Sequence, residues 1–72
     1  MKDINKRCGE LCAIFRKEEL KMTQQQVADA LNYSQENISS FENGRNSNNR
    51  IFLWYIKQGL FEFWTIDDIY RG

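Results

Sequence analysis

Apolar positions recur at helical spacing along most of this chain. Ile4, Cys8, Leu11 and Phe15 fall at i, i+4, i+7 and i+11, which predicts an amphipathic helix over residues 4–20 with that stripe facing inward. Cys12 and Ile14 flank the stripe, and Asp3 stands where an N-cap belongs. Lys2, Lys6, Arg7, Arg16, Lys17 and Lys21, mixed with Glu10, Glu18 and Glu19, fill the solvent side. Val27, Ala28 and Leu31 predict a second helix over 24–31, opened by Thr23 and Gln26 as a capping box. Asn32 falls where the chain must turn sharply, and Asn tolerates the left-handed conformation better than most residues. Ser34 is a fresh N-cap, Glu36 suits the first turn of a helix, and Ile38 and Phe41 carry a buried stripe. A third helix over 35–43 follows, ended by Gly44.

The run NSNNR, residues 46–50, is the most polar in the chain and predicts an exposed loop. The next helix is expected over 49–58, with Gly59 as its C-cap. Its segment IFLWYI, residues 51–56, is apolar all round, so it is either central to the domain or partly packed against another chain. Leu60, Phe61, Phe63, Trp64, Ile66, Ile69 and Tyr70 then crowd a short tail. Thr65 with Asp67 and Asp68 predicts one last short helix, with Ile66, Ile69 and Tyr70 inside. So few helices are short of room for every aromatic, so Phe61, Phe63, Trp64 and Tyr70 are expected to form an interface patch. The competing reading has Phe61, Phe63 and Trp64 capping a small core. Together these patterns describe one all-α domain over 1–72, a compact bundle of four to five helices.

Composition narrows the chemistry. With 72 residues, 42% of them apolar, and no Pro, a single folded helical domain is expected. The opening MKDINKRCGE is charged and polar, and no apolar run approaches the roughly eighteen residues of a membrane span, so a soluble cytoplasmic protein is expected. The chain has no His and only two Cys, one helical turn apart, which gives no metal site and a poorly placed disulfide; Cys8 and Cys12 read as reduced core thiols. Asp67 and Asp68 are better helix-start charges than an acid–base pair. No catalytic residue and no cofactor is expected, and an enzyme is set aside.

Charge matters more. The formal net charge is +0. Residues 1–22 carry six Lys/Arg against four Asp/Glu, while 23–50 and 51–72 each carry two against three, giving +2, −1 and −1. Duplex DNA is held largely by cations that displace its counterions, so a long-range pull from 23–50 is expected to be weak.

Residues 23–45, TQQQVADALNYSQENISSFENGR, still read as helix, turn, helix, the geometry that lays a recognition helix in a DNA major groove. This stretch resembles the Cro and phage-repressor helix-turn-helix family, with its lambda-repressor-like DNA-binding fold. Thr23-Gln24, Ala28, Ser34-Gln35, Ile38 and Glu42-Asn43-Gly44-Arg45 carry the likeness. Three departures stand beside it: Asn32 replaces the usual turn Gly, the loop after the motif lacks Pro, and the lead-in from Phe15 to Met22 is about one residue longer.

The resemblance implies that Gln35, Glu36, Asn37, Ser39 and Ser40 meet base edges, for which amide, carboxylate and hydroxyl groups are suited. It implies phosphate contacts from Gln24, Asn43 and Arg45, and from Arg50 toward the backbone or a narrow minor groove. On the bland reading these are ordinary solvent-facing side chains, with Arg50 simply opening the fourth helix. Arg16 or Lys17 would either approach DNA phosphates or pair with Glu42. The function implied is a phage- or prophage-type repressor that binds a double-stranded operator as a homodimer. The alternative on the same fold is a protein-binding modulator, an antirepressor or antitoxin whose partner is a repressor or toxin, docking through 51–70.

Overall fold

The computed structural model describes residues 3–71, so Lys2 of the expected solvent side lies outside the described residues. Helix α1, Ile4–Phe15, starts where Asp3 Oδ1 accepts the backbone N–H groups of Asn5 and Lys6 at 3.0 and 3.3 Å. Past Phe15 the chain widens into a π-helical turn over Arg16–Leu20. The Arg16 carbonyl accepts the N–H of Lys21 and, at 3.2 Å, that of Met22, and Lys21 closes the turn in the left-handed region at φ 54°. A π turn is a wider turn in which each N–H reaches back five residues instead of four.

Helix α2, Gln24–Leu31, carries the full capping box: Gln26 N–H donates to Thr23 Oγ1 at 3.1 Å and Thr23 N–H to Gln26 Oε1 at 2.8 Å. Asn32 takes the left-handed conformation at φ 59°, and the next N–H, from Tyr33, returns 2.8 Å to the Ala28 carbonyl. Ser34 then caps α3, Gln35–Glu42, by accepting Asn37 N–H. Asn43 leaves the helix and Gly44 turns left-handed at φ 75°, with Arg45 N–H returning to Ser40 O at 2.9 Å. A side chain at Gly44 would also strike the Lys6 backbone. Asn48 caps α4, Asn49–Lys57, which Gly59 closes at φ 101°.

The tail holds a four-residue turn of helix, α5 (Leu60–Phe63), beyond the five expected helices, and then α6 (Ile66–Arg71). Thr65 and Asp68 cap α6 reciprocally, Asp68 N–H to Thr65 Oγ1 and Thr65 N–H to Asp68 Oδ2. Cys12, Phe15, Val27, Ala28, Leu31, Ile38, Phe41, Ile51, Tyr55 and Leu60 form one core drawn from α1 to α5. Tyr55 is its hub, its ring edge-on to Phe15 and stacked on Phe41. Burial pushes both thiols above their ordinary range, so they stay protonated near neutral pH. Among the described residues no group of three His, Cys, Asp or Glu gathers as a metal would need, and no helix is long and apolar enough to cross a membrane.

Two expectations are corrected. Only half of the expected stripe on α1 faces inward: Leu11 and Phe15 are buried, but Ile4 is 39% exposed and Cys8 only half-buried, and Gly9, Cys12 and Arg16 are buried beside them. The reason is Gly9. A Cβ there would lie 2.4 Å from the Phe41 carbonyl oxygen and 2.5 Å from that of Glu42, so only glycine lets α1 and the end of α3 approach this closely. That contact brings the Gly9–Cys12–Arg16 line inward beside Leu11 and Phe15 and leaves Ile4 and Cys8 toward solvent. In α6, only Ile69 is buried; Ile66 and Tyr70 are 54% and 71% exposed. A helix of six residues turns one narrow seam toward α1, and Arg7 secures it by donating through Nε and Nη2 to the Asp68 carbonyl.

Gly9→Ala tests this packing. Alanine favours a helix interior by about 1 kcal/mol, but forcing a methyl into a closed contact costs about 1–3 kcal/mol, and here it meets rigid backbone. A lower melting temperature is expected; an unchanged or raised one would show that α1 and α3 are not in contact there.

Candidate nucleic-acid interface

The position of α3 is set by what lies beneath it. Ile38 and Phe41 enter the core, and Glu42, at its last turn, is buried as well. The Glu42 carboxylate is met by donors from three other elements. Arg16 donates from Nε to Oε2 at 2.8 Å and from Nη2 to Oε1 at 3.1 Å. Gln24 Nε2 donates to Oε1 at 2.9 Å, and the Tyr55 hydroxyl to Oε2 at 3.2 Å. Arg16 also donates through Nη1 to the Met22 carbonyl at 2.8 Å. The sequence left Arg16 and Lys17 open for this partnership; it is Arg16, and Lys17 stays exposed. Among the described residues every buried side-chain N and O atom is satisfied.

The outer side of α3 is open. Gln35, Glu36 and Asn37 in the first turn are exposed, and Ser39 and Ser40 one turn further on are half-buried. Gln35 Nε2 donates to Gln24 Oε1 at 3.3 Å, so the first residues of α2 and α3 are linked through their side chains. Asn43 Nδ2 donates to Ser39 Oγ at 3.4 Å one turn away. Gln24 is thereby held from both ends, by Glu42 and by Gln35. Arg45 is exposed just beyond the helix. Arg50, at the start of α4, is exposed too, with its guanidinium carbon 5.3 Å from the centre of the Tyr33 ring.

Lys17, Gln24 and Asn43 border an open depression of about 420 Å³, floored by the Arg16–Glu42 pair and flanked by Glu10. Two of the expected phosphate contacts thus share a hollow with a lysine that sequence reasoning left unassigned. Charge also redistributes. Residues 23–50 carry Arg45 and Arg50 against Asp29, Glu36 and Glu42, but Glu42 is neutralised internally by Arg16. Two cations then face two anions, and the exposed charge of this segment is balanced rather than negative.

The expected interface aromatics fall into two groups. Phe61, Phe63 and Tyr70 are exposed, whereas Trp64 is half-buried, its indole Nε1 donating to the Leu11 carbonyl at 3.1 Å. Phe63 packs on both Phe15 and Trp64, capping the core with its inner face. Sequence reasoning missed Leu53, which is 62% exposed on α4, and it missed Tyr33 and Tyr55. The all-round apolar run at 51–56 was the signal for Leu53. Nothing local marked the two tyrosines.

A helix-turn-helix family model matches residues 13–49, just over half of the 72-residue chain, and spans the π turn, α2 and α3. No curated protein and no solved structure matches the chain significantly.

Arg16→Met is expected to destabilise the protein by about 3–5 kcal/mol, because it strands a buried carboxylate. Adding Glu42→Met should restore much of the loss in urea melts, and no rescue would contradict the pairing. Alkaline pH offers a second check. Burial, and then the Glu42 charge, raise the Tyr55 phenol above its ordinary 10.0, and burial raises the Cys12 thiol above 9.0. The folded state therefore holds protons that the unfolded chain releases. Stability should be level near neutrality and fall as pH climbs past 9 to 10. Tyr55→Phe should cost about 1 kcal/mol at neutral pH and make the alkaline fall shallower; an equally steep fall would contradict this.

Proposed function

The chain belongs to the Cro/phage-repressor-type helix-turn-helix family, a family of DNA-binding regulators, and from that premise we propose that it is a sequence-specific transcriptional regulator reading an operator with α3. The observation that carries this reading is the open first turn Gln35, Glu36 and Asn37, followed by half-buried Ser39 and Ser40, on a helix whose inner side is locked. Gln35 offers the paired donor and acceptor that suit adenine N6 and N7, and Glu36 accepts from cytosine N4. Gln24, Asn43 and Arg45 are the backbone contacts, joined by Lys17 beside the shared depression. Arg50 supplies a further cation at the flank.

Balanced charge shapes the binding. Lys17, Arg45 and Arg50 are three cations per protomer, so log affinity should fall against log salt with a slope near −3 per protomer. Discrimination then rests on base contacts more than on long-range attraction. Exposed Phe61, Phe63 and Tyr70 support a homodimer, which would set two α3 helices on half-sites about 34–36 Å apart. One observation favours the second reading, a protein-binding modulator on the same fold: Leu53 and Phe61 leave apolar surface open on α4 and α5.

Fluorescence anisotropy against duplexes from the DNA upstream of its own coding region, at several salt concentrations, tests this. Gln35→Ala should weaken the preferred duplex by roughly 10- to 100-fold and a random duplex little, given about 1–3 kcal/mol per good base contact. Arg45→Ala should weaken all duplexes alike and flatten the salt slope by about 1. Sequence-independent binding, or none at low salt, would reject operator reading. Capture of a protein partner unaffected by both substitutions would then favour the modulator.

A further inference from the structure

Resting on the DNA-binding reading above, we propose that Tyr33 is a positioning residue: its ring holds the Arg50 guanidinium beside the N-terminus of α3, ready for a backbone phosphate. Arg50 is an awkward cation. It sits in the first turn of α4, where the helix dipole disfavours positive charge. Among the described residues no carboxylate pairs with it, and its backbone N–H is already taken by Asn48 at 3.0 Å. What it has is the Tyr33 ring, 5.3 Å from the guanidinium carbon and inside the roughly 6 Å range of a cation–π contact.

That ring makes a rigid shelf. Tyr33 is half-buried and packs against the core, and its backbone is fixed by the 2.8 Å bond to Ala28. It lies in the turn between α2 and α3, one residue before the Ser34 cap and two before Gln35. A side chain from the first turn of α4, just past the 46–48 loop, is thereby carried back to the start of the reading helix. That loop has no proline to stiffen it, and the ring supplies a restraint from the other side. Tyr33 leaves Arg50 exposed, so the charge is oriented and still available to an anion.

The test compares wild type, Arg50→Ala, Tyr33→Phe, Tyr33→Leu and the Tyr33→Leu/Arg50→Ala double variant for binding the preferred duplex across salt. Leucine keeps the apolar packing and removes the π face, and melting temperatures check that each variant folds. Arg50→Ala should flatten the salt slope by about 0.9. Tyr33→Leu should flatten it nearly as much without any change in net charge, and weaken binding about three- to tenfold at low salt. Tyr33→Phe should match wild type, and the double variant should be no weaker than Arg50→Ala. In the free protein, the Arg50 side-chain resonances should lose their ring-current shift in Tyr33→Leu and keep it in Tyr33→Phe. A wild type that binds no DNA overturns the DNA reading and this inference together. Wild-type binding with an unmoved slope in Tyr33→Leu, or with additive losses in the double variant, overturns this inference alone.

Discussion

One buried carboxylate organises this domain. Glu42 closes α3, and its two oxygens gather Arg16 from the π turn, Gln24 from α2 and Tyr55 from α4. Side-chain exposure at the ion pair is 6% on both partners, so each charge has lost nearly all its water. Such a pair contributes little net stability, since desolvation offsets most of its attraction. Its effect here is geometric. Four hydrogen bonds to one residue allow α3 a single rotation about its axis, and that rotation turns Gln35, Glu36 and Asn37 outward.

Other features of the chain follow from bringing that carboxylate and its donors together. Gly9 lets α1 lie against the carbonyls at the end of α3, which no other residue would allow. The π turn follows Phe15 directly, with Arg16 as its first member and Met22 just beyond it as a further acceptor. Gln24 belongs both to this buried cluster and, through Gln35, to the exposed face. It links the two. The neutral overall charge also reads differently here, because Glu42 is an internal anion and takes no part in repelling phosphates.

The parts legible in the sequence were those whose causes are local. Asp3, Thr23, Ser34 and Gly44 announced helix ends through capping chemistry that needs only a few neighbours, and Asn32 announced the turn. The exposure of Gln35 and Glu36 followed from the spacing of Ile38 and Phe41, which also put Ser39 and Ser40 outside, where they are half-buried. Contacts between distant segments were not legible. Nothing in the apolar pattern marked Gly9, whose close contact with Phe41 and Glu42 turns Gly9 and Cys12 inward beside Leu11 and Phe15 and leaves Ile4 and Cys8 toward solvent. Trp64 looked like spare aromatic surface, yet its indole finds the Leu11 carbonyl. Tyr33 and Arg50 are seventeen residues apart, and no periodicity joins them.

The claim underneath all of this is that the outer face of α3 is the surface that meets a partner, and that the partner is duplex DNA. The most direct measurement is a two-dimensional ¹⁵N NMR titration of the labelled protein with a duplex from its own upstream region. Amide and side-chain signals of Gln24, Gln35, Glu36, Asn37 and Arg45 should move together and saturate, while those of the buried core hold still. Movement confined to residues 51–70, with the α3 signals unchanged, would contradict the account.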